Sequence, residues 1–363
     1  TVLLEDLAGV RGAIHVAERI AEELEAPLEL RGQRIFISTS VGIALSTHSG
    51  LQPGSLLRNA DVAMYQAKKE GRARFRLFDQ SMHAQALERL ELENDLRRAI
   101  EQEELRVHYQ PAVCLRTGEL AGVEALVRWE HPVRGLLSPR EFIPLAEETG
   151  FIDSLGQWVL RTSCKQACEW RRLYPAAGSL IMSVNLSVKQ FQQKDLTMQL
   201  ERILQETGLD PHYLQLEITE SAVAEDVERT VKLLWALKDL KVRIAIDDFG
   251  TGYSSLHSLR SFPLDALKVD KAFVEGLGQS SRDAAIAQMI IDLAHAVGME
   301  AIGEGVETAE QIARLREMKC DAAQGYYFSE PLTGEEMGTL LDDAPSRLAG
   351  ASLKGGRFTA SGH

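Results

Sequence analysis

The sequence lacks the features of membrane, secreted and fibrous proteins. No segment approaches the roughly 18 consecutive apolar residues of a membrane helix, and the N-terminus lacks the basic and apolar regions of a signal peptide. Four cysteines in 363 residues are too few for a disulfide framework, and none forms a CxxC pair. With 45% hydrophobic and 26% charged residues, the composition is that of a globular protein. These absences predict a soluble, cytoplasmic chain, although a longer parent protein could carry a membrane anchor upstream.

Ligands for soft metals are also scarce. The nine histidines show no HxH or HExxH spacing. Cys164 and Cys168 lie four residues apart on a predicted helix and could share a metal ion, but no second thiol or histidine pair has matching spacing. Because free cysteine behaves as a small hydrophobic residue, buried and unreactive thiols are the favoured interpretation over a zinc site.

Basic residues are outnumbered, with 40 Lys and Arg against 53 Asp and Glu and a formal net charge of −13. Binding to a nucleic-acid backbone requires clustered Lys and Arg that replace its counterions. The composition therefore excludes long nucleic acid as a partner. An acidic protein can still bind phosphates where metal ions intervene.

The length suggests two domains or one large one, and the strand pattern changes along the chain. Residues 1–80 contain few predicted elements, chiefly a strand over Arg34–Leu45 and a helix over Ser55–Phe75, and would form a thin core. Residues 81–345 alternate short strands with helices. Residues 346–363 are rich in Gly, Ser and Ala without acidic residues, which predicts a disordered tail.

Alternation of strands and helices over residues 81–345 predicts an α/β fold with a parallel sheet, either open or closed into a barrel. The predicted strands are Leu120–Trp129, Leu180–Leu186, Tyr213–Thr219, Val242–Asp247, Ala266–Asp270, Met299–Glu304 and Ala322–Phe328. Two intervening helices have predicted apolar stripes, formed by Val227, Val231, Leu234 and Leu237 and by Ile286, Met289, Leu293 and Val297.

Alternate residues along these strands separate bulky apolar side chains from polar ones. In a barrel the apolar set would face the helices and the polar set would face the lumen. The polar set comprises Glu124, Ser183, Asn185, Gln215, Glu217, Asp247, Lys268 and Asp270. Glu304 shares its parity with Ile302, so its direction stays open.

Catalytic groups of (β/α)8 barrels lie at the C-terminal ends of the strands, and here carboxylates from several strands would converge there. Convergent carboxylates repel one another unless a cation joins them, and hard oxygen ligands suit Mg²⁺ or Mn²⁺. The adjacent Asp247 and Asp248 could serve two ions about 3.5–4 Å apart, the separation used for in-line displacement at phosphorus. Lys268 could polarise water or neutralise phosphate charge in the same place.

The same residues belong to motifs that resemble those of EAL domains, the cyclic di-GMP phosphodiesterases. The resemblance covers about Leu87 to Leu340 and is specific as a combination. Its motifs, in order, are Glu124-Ala125-Leu126 with Val127-Arg128-Trp129, Asn185-Leu186-Ser187, Leu216-Glu217-Ile218-Thr219-Glu220-Ser221, Asp247-Asp248-Phe249-Gly250-Thr251-Gly252-Tyr253-Ser254-Ser255-Leu256, Leu267-Lys268-Val269-Asp270, Glu304-Gly305-Val306-Glu307 and Gln324-Gly325-Tyr326. The implied fold is an EAL-type TIM-like (β/α)8 barrel with one antiparallel strand.

The resemblance also implies a role for each matched residue. Glu124, Asn185, Glu217 and Asp247 would hold one divalent ion, and Asp247, Asp248 and Glu304 the second. Glu124, Asp247 and Lys268 would be catalytic, with Lys268 orienting or deprotonating the attacking water. Arg128 would contact a substrate phosphate and Gln324 and Gln110 the guanines. Asp270 and Glu307 would lie next to the substrate. Glu220 would brace the loop after Asp247-Asp248.

Residues 1–80 resemble the C-terminal half of a GGDEF domain, the diguanylate cyclase type. The motifs are Thr39-Ser40-Val41-Gly42-Ile43-Ala44, Ala60-Asp61-Val62-Ala63-Met64-Tyr65, Ala67-Lys68 and Gly71-Arg72. The signature loop would fall before Thr1, so the segment is expected to be a partial α+β remnant without cyclase activity. Upstream sensory or regulatory domains are expected in the parent protein.

Three functional hypotheses remain at this stage. The first is a metal-dependent phosphodiesterase that cleaves cyclic di-GMP to linear pGpG in bacterial second-messenger signalling. The alternatives are a cyclic di-GMP receptor with little or no hydrolysis and a structural dimerisation module. The complete set of matched residues favours the enzyme. EAL barrels commonly pair, so the resemblance also implies a homodimer.

Overall fold

The structure, a computed structural model, describes residues 1–5, 7, 9–25, 28–30, 33–35, 37–46, 53–69, 71, 73–175, 178–224, 226–250, 259 and 261–342. The predicted disordered tail, 346–363, and part of the Asp247-Asp248 motif, 251–256, lie outside these residues. The chain divides into two compact units, Thr1–Asp95 and the part from Leu96 onward. The boundary at residue 80 stays a prediction. Among the described helices, none has the length and apolar character needed to span a bilayer.

The first unit is a small α+β assembly. Its elements are α1 (Val10–Glu25), β1 (Leu28–Leu30), β2 (Gln33–Ile35), β3 (Val41–Ile43), α2 (Pro53–Lys69) and β4 (Phe75–Leu77), and α3 (Gln80–Ala99) begins in this unit and ends four residues beyond Asp95. Strands β3 and β4 pair in parallel on either side of α2 in the chain. Ala13 and Ala17 of α1 pack with Ile43 in the core of this unit.

The single strand predicted over Arg34–Leu45 is wrong, because the chain leaves one sheet and enters another within it. Strand β2 pairs antiparallel with β1, whereas β3 pairs in parallel with β4. The polar Ser38, Thr39 and Ser40 lie between the two short strands.

The second unit is a closed eight-stranded barrel, which confirms the predicted fold class. Its strands are β5 (Leu105–Cys114), β6 (Leu120–His131), β8 (Ile181–Leu186), β9 (Leu214–Thr219), β10 (Arg243–Phe249), β11 (Ala266–Val269), β12 (Glu300–Gly303) and β13 (Ala322–Gln324), and a short β7 (Gly135–Leu137) extends β6 outside the ring. Strand β5 pairs with both β6 and β13 and so closes the barrel. Both of these pairings are antiparallel, so β5 is the one reversed strand.

Helices surround the barrel between its strands. They are α4 (Pro139–Thr149), α5 (Ile152–Leu173), α6 (Val188–Phe191), α7 (Leu196–Thr207), α8 (Glu220–Ala224), α9 (Val227–Asp239), α10 (Lys271–Glu275), α11 (Ser281–Ala296) and α12 (Ala309–Glu317). The core between strands and helices is apolar, and Leu216, Ile244 and Leu267 of the outer strand faces are fully buried. The parity of each strand therefore presents its polar residues to the lumen.

The predicted apolar stripe of α11 is wrong. Met289 is 60% and Val297 39% exposed, while the buried side of the helix consists of Ala287, Ile290, Ile291 and Ala294. The small alanines allow the helix to approach the strands closely, so packing selects a face that a count of large apolar residues misses. On α9, Leu234 and Leu237 are buried as predicted, but Val227 is 38% exposed.

Candidate active site

The lumen at the C-terminal ends of the strands collects the polar residues that strand parity predicted. Asn185 lies opposite Glu217 in the register of β8 and β9, and Gln110 lies opposite Glu124 in that of β5 and β6. Residues that are opposite in register share a face of the sheet. These two pairs thus bring side chains from four strands to one mouth of the barrel.

The direction of Glu304 follows from the same register. Ile302 of β12 lies opposite Lys268 of β11, so Ile302 is on the inner face despite its apolar side chain. Glu304, two residues further, continues on that face, and its backbone N–H donates to the Val269 carbonyl at 3.1 Å. Glu304 therefore joins the cluster.

Lys268 is the centre of this cluster, and its side chain is only 1% exposed. Its Nζ lies 2.5 Å from Glu217 Oε2, 3.2 Å from Asp247 Oδ1 and 3.6 Å from Glu124 Oε2. It also forms an ion pair with Glu304. One ammonium thus contacts four carboxylates, so that negatively charged groups outnumber positively charged ones in this cluster.

Two side-chain amides orient the Glu124 carboxylate. Asn185 Nδ2 donates to Glu124 Oε1 at 2.6 Å. Gln324 Nε2 donates to Glu124 Oε2 and also to Glu304 Oε1, the latter at 3.3 Å. Gln324 therefore bridges two carboxylates of the cluster, a contact that differs from the guanine contact expected from the sequence.

Asp247, Asp248 and Glu304 form a set that could hold a metal ion, because one carboxylate oxygen of each lies within 4.8 Å of the others. Carboxylate oxygens at this spacing suit a hard divalent cation such as Mg²⁺ or Mn²⁺. Asp248 has a left-handed backbone, with φ of 52°, which turns it toward the same side as Asp247 at the end of β10. The donor set fits the predicted ions in its chemistry.

The pKa values of the cluster report its shortage of positive charge. Burial, with the charges of Glu124 and Asp247, raises the pKa of Glu217 to about 8 despite Lys268. Burial and the charge of Asp247 raise the pKa of Asp248 to about 7. Burial alone would lower the pKa of Lys268, but the surrounding carboxylates raise it well above its usual range. Lys268 is therefore protonated at neutral pH.

Arg128 and Gln110 lie beside the cluster on β6 and β5. Arg128 is half-buried, and its Nη1 donates to the carbonyl of Val127 at 2.9 Å. No described acidic side chain lies within ion-pair distance of its guanidinium. Gln110 is 7% exposed, and its Nε2 donates to the Ser329 carbonyl at 3.1 Å.

The remaining predicted residues lie around the mouth. Asp270 caps α10 by accepting a hydrogen bond from the backbone N–H of Ala272, and its proximity contributes to the raised pKa of Asp248. Glu220 Oε2 accepts a hydrogen bond of 3.0 Å from the Gly250 N–H, directly after the Asp247 motif. Glu307 stands apart from the carboxylate cluster, because it is 47% exposed and pairs with Lys271 at 2.8 Å.

The sequence analysis did not predict strand β5, and it assigned no role to two residues of the mouth. His108 of β5 and Tyr326, which is 56% exposed, lie near Arg128. The signal for β5 was the alternation of Leu105, Val107 and Tyr109 with polar residues, followed by the Thr117-Gly118 turn. Tyr109 is on the outer face, where its ring packs 4.7 Å from that of Trp170.

Comparison with known proteins gives matches along most of the chain. The EAL domain family matches residues 93–331, and the family described as diguanylate cyclase, GGDEF domain, matches residues 1–74. The cyclic di-GMP phosphodiesterase NbdA of Pseudomonas aeruginosa is 41% identical over 91% of this chain and 42% of its own length. MucR of the same organism, a bifunctional diguanylate cyclase/cyclic di-GMP phosphodiesterase, is 40% identical over 93% of this chain and 49% of its own length. The chain thus spans less than half of these relatives.

Solved structures of EAL proteins match the barrel. The PaMucR phosphodiesterase in complex with cyclic di-GMP is 40% identical with a TM-score of 0.66, over 68% of this chain and 99% of that one. The EAL domain of FimX from Pseudomonas aeruginosa, bound to cyclic di-GMP, is 26% identical with a TM-score of 0.59, over 67% and 96% of the two chains. The chain therefore belongs to the EAL domain family and carries a GGDEF-type fragment at its N-terminus.

Proposed function

We propose that this chain hydrolyses one phosphodiester bond of cyclic di-GMP to give linear pGpG, using two divalent ions, Mg²⁺ or Mn²⁺. The observation that carries the proposal is the convergence of Glu124, Glu217, Asp247 and Glu304 on Lys268, next to the Asp247, Asp248 and Glu304 set. The names of the relatives NbdA and MucR support the same substrate.

Glu124, Asn185, Glu217 and Asp247 would hold one ion, and Asp247, Asp248 and Glu304 the other. When bound, such ions supply Lewis-acid chemistry and lower the pKa of water. The amides of Asn185 and Gln324 fix the direction of the Glu124 carboxylate. This orientation would keep the carboxylate in place as the charge on the phosphate changes.

Lys268 would orient or deprotonate the attacking water. In the absence of metal ions, the four surrounding carboxylates raise its pKa well above the usual range. Arg128, which forms no ion pair with a described acid, would bind a substrate phosphate with its guanidinium. Asp270 and Glu307 would contact the substrate from the rim, with Gln110 beside the guanine.

Glu220 would hold the start of the loop that follows Asp247 and Asp248, since its carboxylate accepts from the Gly250 N–H. Loss of this hydrogen bond would shift the backbone at Gly250 and, with it, the neighbouring Asp247 and Asp248.

At the level of the whole protein, we propose a homodimer that is controlled by upstream domains. Light scattering of the purified chain tests the dimer by its mass.

The direct test is incubation of the chain with cyclic di-GMP and Mg²⁺ or Mn²⁺, with the products separated by chromatography. We expect pGpG from the unmodified chain and none from Glu124→Gln. Glu300→Gln serves as the matched control and should retain activity. Glu300 is exposed and lies at the first residue of β12, at the end opposite to Glu304. Binding with the nucleotide recovered intact would contradict hydrolysis and favour a receptor. Absence of both binding and cleavage would leave only a structural role.

A further inference from the structure

Helix α10, Lys271–Glu275, follows the barrel strand that lies between the two strands with metal-binding carboxylates. It begins two residues after β11 ends at Val269, and β11 pairs with β10 on one side and with β12 on the other. Asp247 and Asp248 belong to β10, and Glu304 directly follows β12. Helix α10 carries none of these carboxylates, but its side chains contact the chain beside them.

Lys271 contacts the segment that follows β12. Gly305, the residue after Glu304, has a positive φ of +66°. A Cβ on Gly305 would lie 2.6 Å from Lys271 Cδ and 2.8 Å from its Cβ, so the aliphatic part of Lys271 packs against the Gly305 backbone. The Lys271 ammonium pairs with Glu307 at 2.8 Å. Lys271 therefore contacts this segment at two points, one and three residues beyond Glu304.

Phe273 contacts the segment at the end of β10. Gly250, two residues after Asp248, has a positive φ of +101°, and a Cβ there would lie 2.8 Å from Phe273 Cε2 and 3.3 Å from its Cζ. Residues two apart on an α-helix point about 200° apart, so Lys271 and Phe273 project from opposite sides of α10. Since Glu220 accepts from the Gly250 N–H at 3.0 Å, two side chains hold this glycine.

Helix α10 is itself fixed to the barrel. Val274 is fully buried, and the Asp270 carboxylate accepts a hydrogen bond of 2.7 Å from the Ala272 N–H. The ion pair of Lys271 is about half exposed on both sides and contributes little by itself, so the packing of its aliphatic part on Gly305 is the stronger of its two contacts.

We propose that Lys271 and Phe273 are positioning residues, which hold the backbone beside Glu304 and Asp248 so that the carboxylates of Asp247, Asp248 and Glu304 keep the spacing that a divalent ion needs. The proposal rests on the two-ion site of the proposed function and concerns its metal affinity. Contacts that orient metal ligands from outside commonly change metal affinity or activity by roughly 10- to 100-fold when they are lost.

The test is a calorimetric titration of the whole chain with Mn²⁺, without nucleotide, for Lys271→Ala, Lys271→Met and Phe273→Ala. Two controls change the same residue types at the opposite end of β11. Phe262→Ala removes a buried ring before the strand, and Lys238→Ala removes the partner of Asp265. Melting temperatures in EDTA show how far each variant is destabilised, and Phe273→Leu replaces Phe273→Ala if the latter does not fold.

We expect Lys271→Ala and Phe273→Ala each to weaken Mn²⁺ binding about tenfold. Lys271→Met, which keeps the aliphatic chain, should stay within about twofold of the unmodified chain. The controls should lower the melting temperature and leave Mn²⁺ affinity unchanged.

Equal losses of Mn²⁺ affinity in the α10 variants and in controls of similar melting temperature would overturn the proposal, because general destabilisation would then explain them. Unchanged affinity in Lys271→Ala and Phe273→Ala would overturn it as well. If the unmodified chain binds Mn²⁺ without cleaving cyclic di-GMP, the proposed hydrolysis fails, and the same Mn²⁺ affinities still decide the role of α10. Failure of the unmodified chain to bind Mn²⁺ would overturn both.

Discussion

Lys268 partly neutralises the negative charge of the carboxylates at the barrel mouth. Its ammonium lies within 3.6 Å of Glu124, Glu217 and Asp247 and also pairs with Glu304, in a place where water has little access. A buried charge is tolerated only when it is paired. Each carboxylate therefore depends on Lys268 whenever no metal ion is bound, and the lysine in turn depends on the carboxylates for its burial.

Replacing Lys268 by Met keeps the volume and removes this charge. In EDTA we expect a loss of about 3–5 kcal/mol, because four carboxylates lose their counterion, and a melting temperature lower by roughly 10 °C. Divalent ions should restore part of the stability, but turnover should stay abolished. Lys238→Met is the control, because Lys238 pairs with Asp265 at 2.8 Å with both side chains about a quarter exposed. Equal melting temperatures of the two variants in EDTA would contradict this account.

The four cysteines differ in reactivity for reasons visible at each residue. Burial raises the pKa of Cys164 and of Cys320 to about 12, so both remain thiols at neutral pH. Partial burial opposes ionisation of Cys114 also, but hydrogen bonds from Thr117 outweigh it and lower its pKa. Since the thiolate is the nucleophile, iodoacetamide at pH 7.5 should label Cys114 first, as peptide mass spectrometry would show. Labelling of Cys164 in the folded protein at a comparable rate would refute the ordering.

At the scale of elements, strands were easier to predict than the helix faces. The parity of β8, β9, β10 and β11 predicted their inner faces correctly, because apolar and polar residues alternate cleanly there. Strand β5 was not predicted, because Pro111 interrupts its alternation of apolar and polar residues. The buried face of α11 depends on the close approach of Ala287 and Ala294, which only the packed structure reveals.

Gly325, which follows β13, allows the backbone of Val306 to lie close to the backbone beside Gln324. Its φ is +154°, and a Cβ there would lie 2.2 Å from both the N and the O of Val306. These atoms are already engaged, since Val306 N–H donates to the Gln324 carbonyl at 3.0 Å and Tyr327 N–H donates to the Val306 carbonyl at 2.8 Å. A larger residue at position 325 must therefore displace the Gln324 backbone.

Gly325→Ala should destabilise the protein by about 3 kcal/mol and lower kcat, because Gln324 holds the carboxylates of Glu124 and Glu304. Gly298→Ala is the matched control. Gly298 also has a positive φ, of +80°, but its Cβ would have no neighbour within 4 Å, so we expect a loss of only about 1 kcal/mol with unchanged kcat. Urea unfolding and steady-state kinetics measure both effects. Equal losses for the two variants would show that backbone strain, rather than contact with Val306, sets the cost.

For the whole molecule, the formal charge of −13 is informative only through its distribution. The motifs predicted which carboxylates would meet, because parallel strands end at one mouth of a barrel. They did not predict that Lys268 would contact four of them or that Gln324 would bridge two, since these contacts depend on side-chain packing inside the lumen. The local excess of negative charge predicts that an anionic ligand enters the mouth only after divalent ions offset it.

Cyclic di-GMP should therefore bind at least about 100-fold more weakly in EDTA than in Mn²⁺, a difference of about 2.8 kcal/mol that is within reach of one unscreened charge pair. Two variants of equal net charge separate local from global effects, namely Glu304→Gln in the cluster and Glu300→Gln at the opposite end of β12. Glu304→Gln should weaken Mn²⁺ binding and with it nucleotide binding, as measured by calorimetry. Glu300→Gln should change neither, because it is exposed and pairs only with Arg243 among the described side chains. If both variants strengthened nucleotide binding equally in EDTA, the total charge of the molecule, and not the carboxylates at its mouth, would control ligand entry.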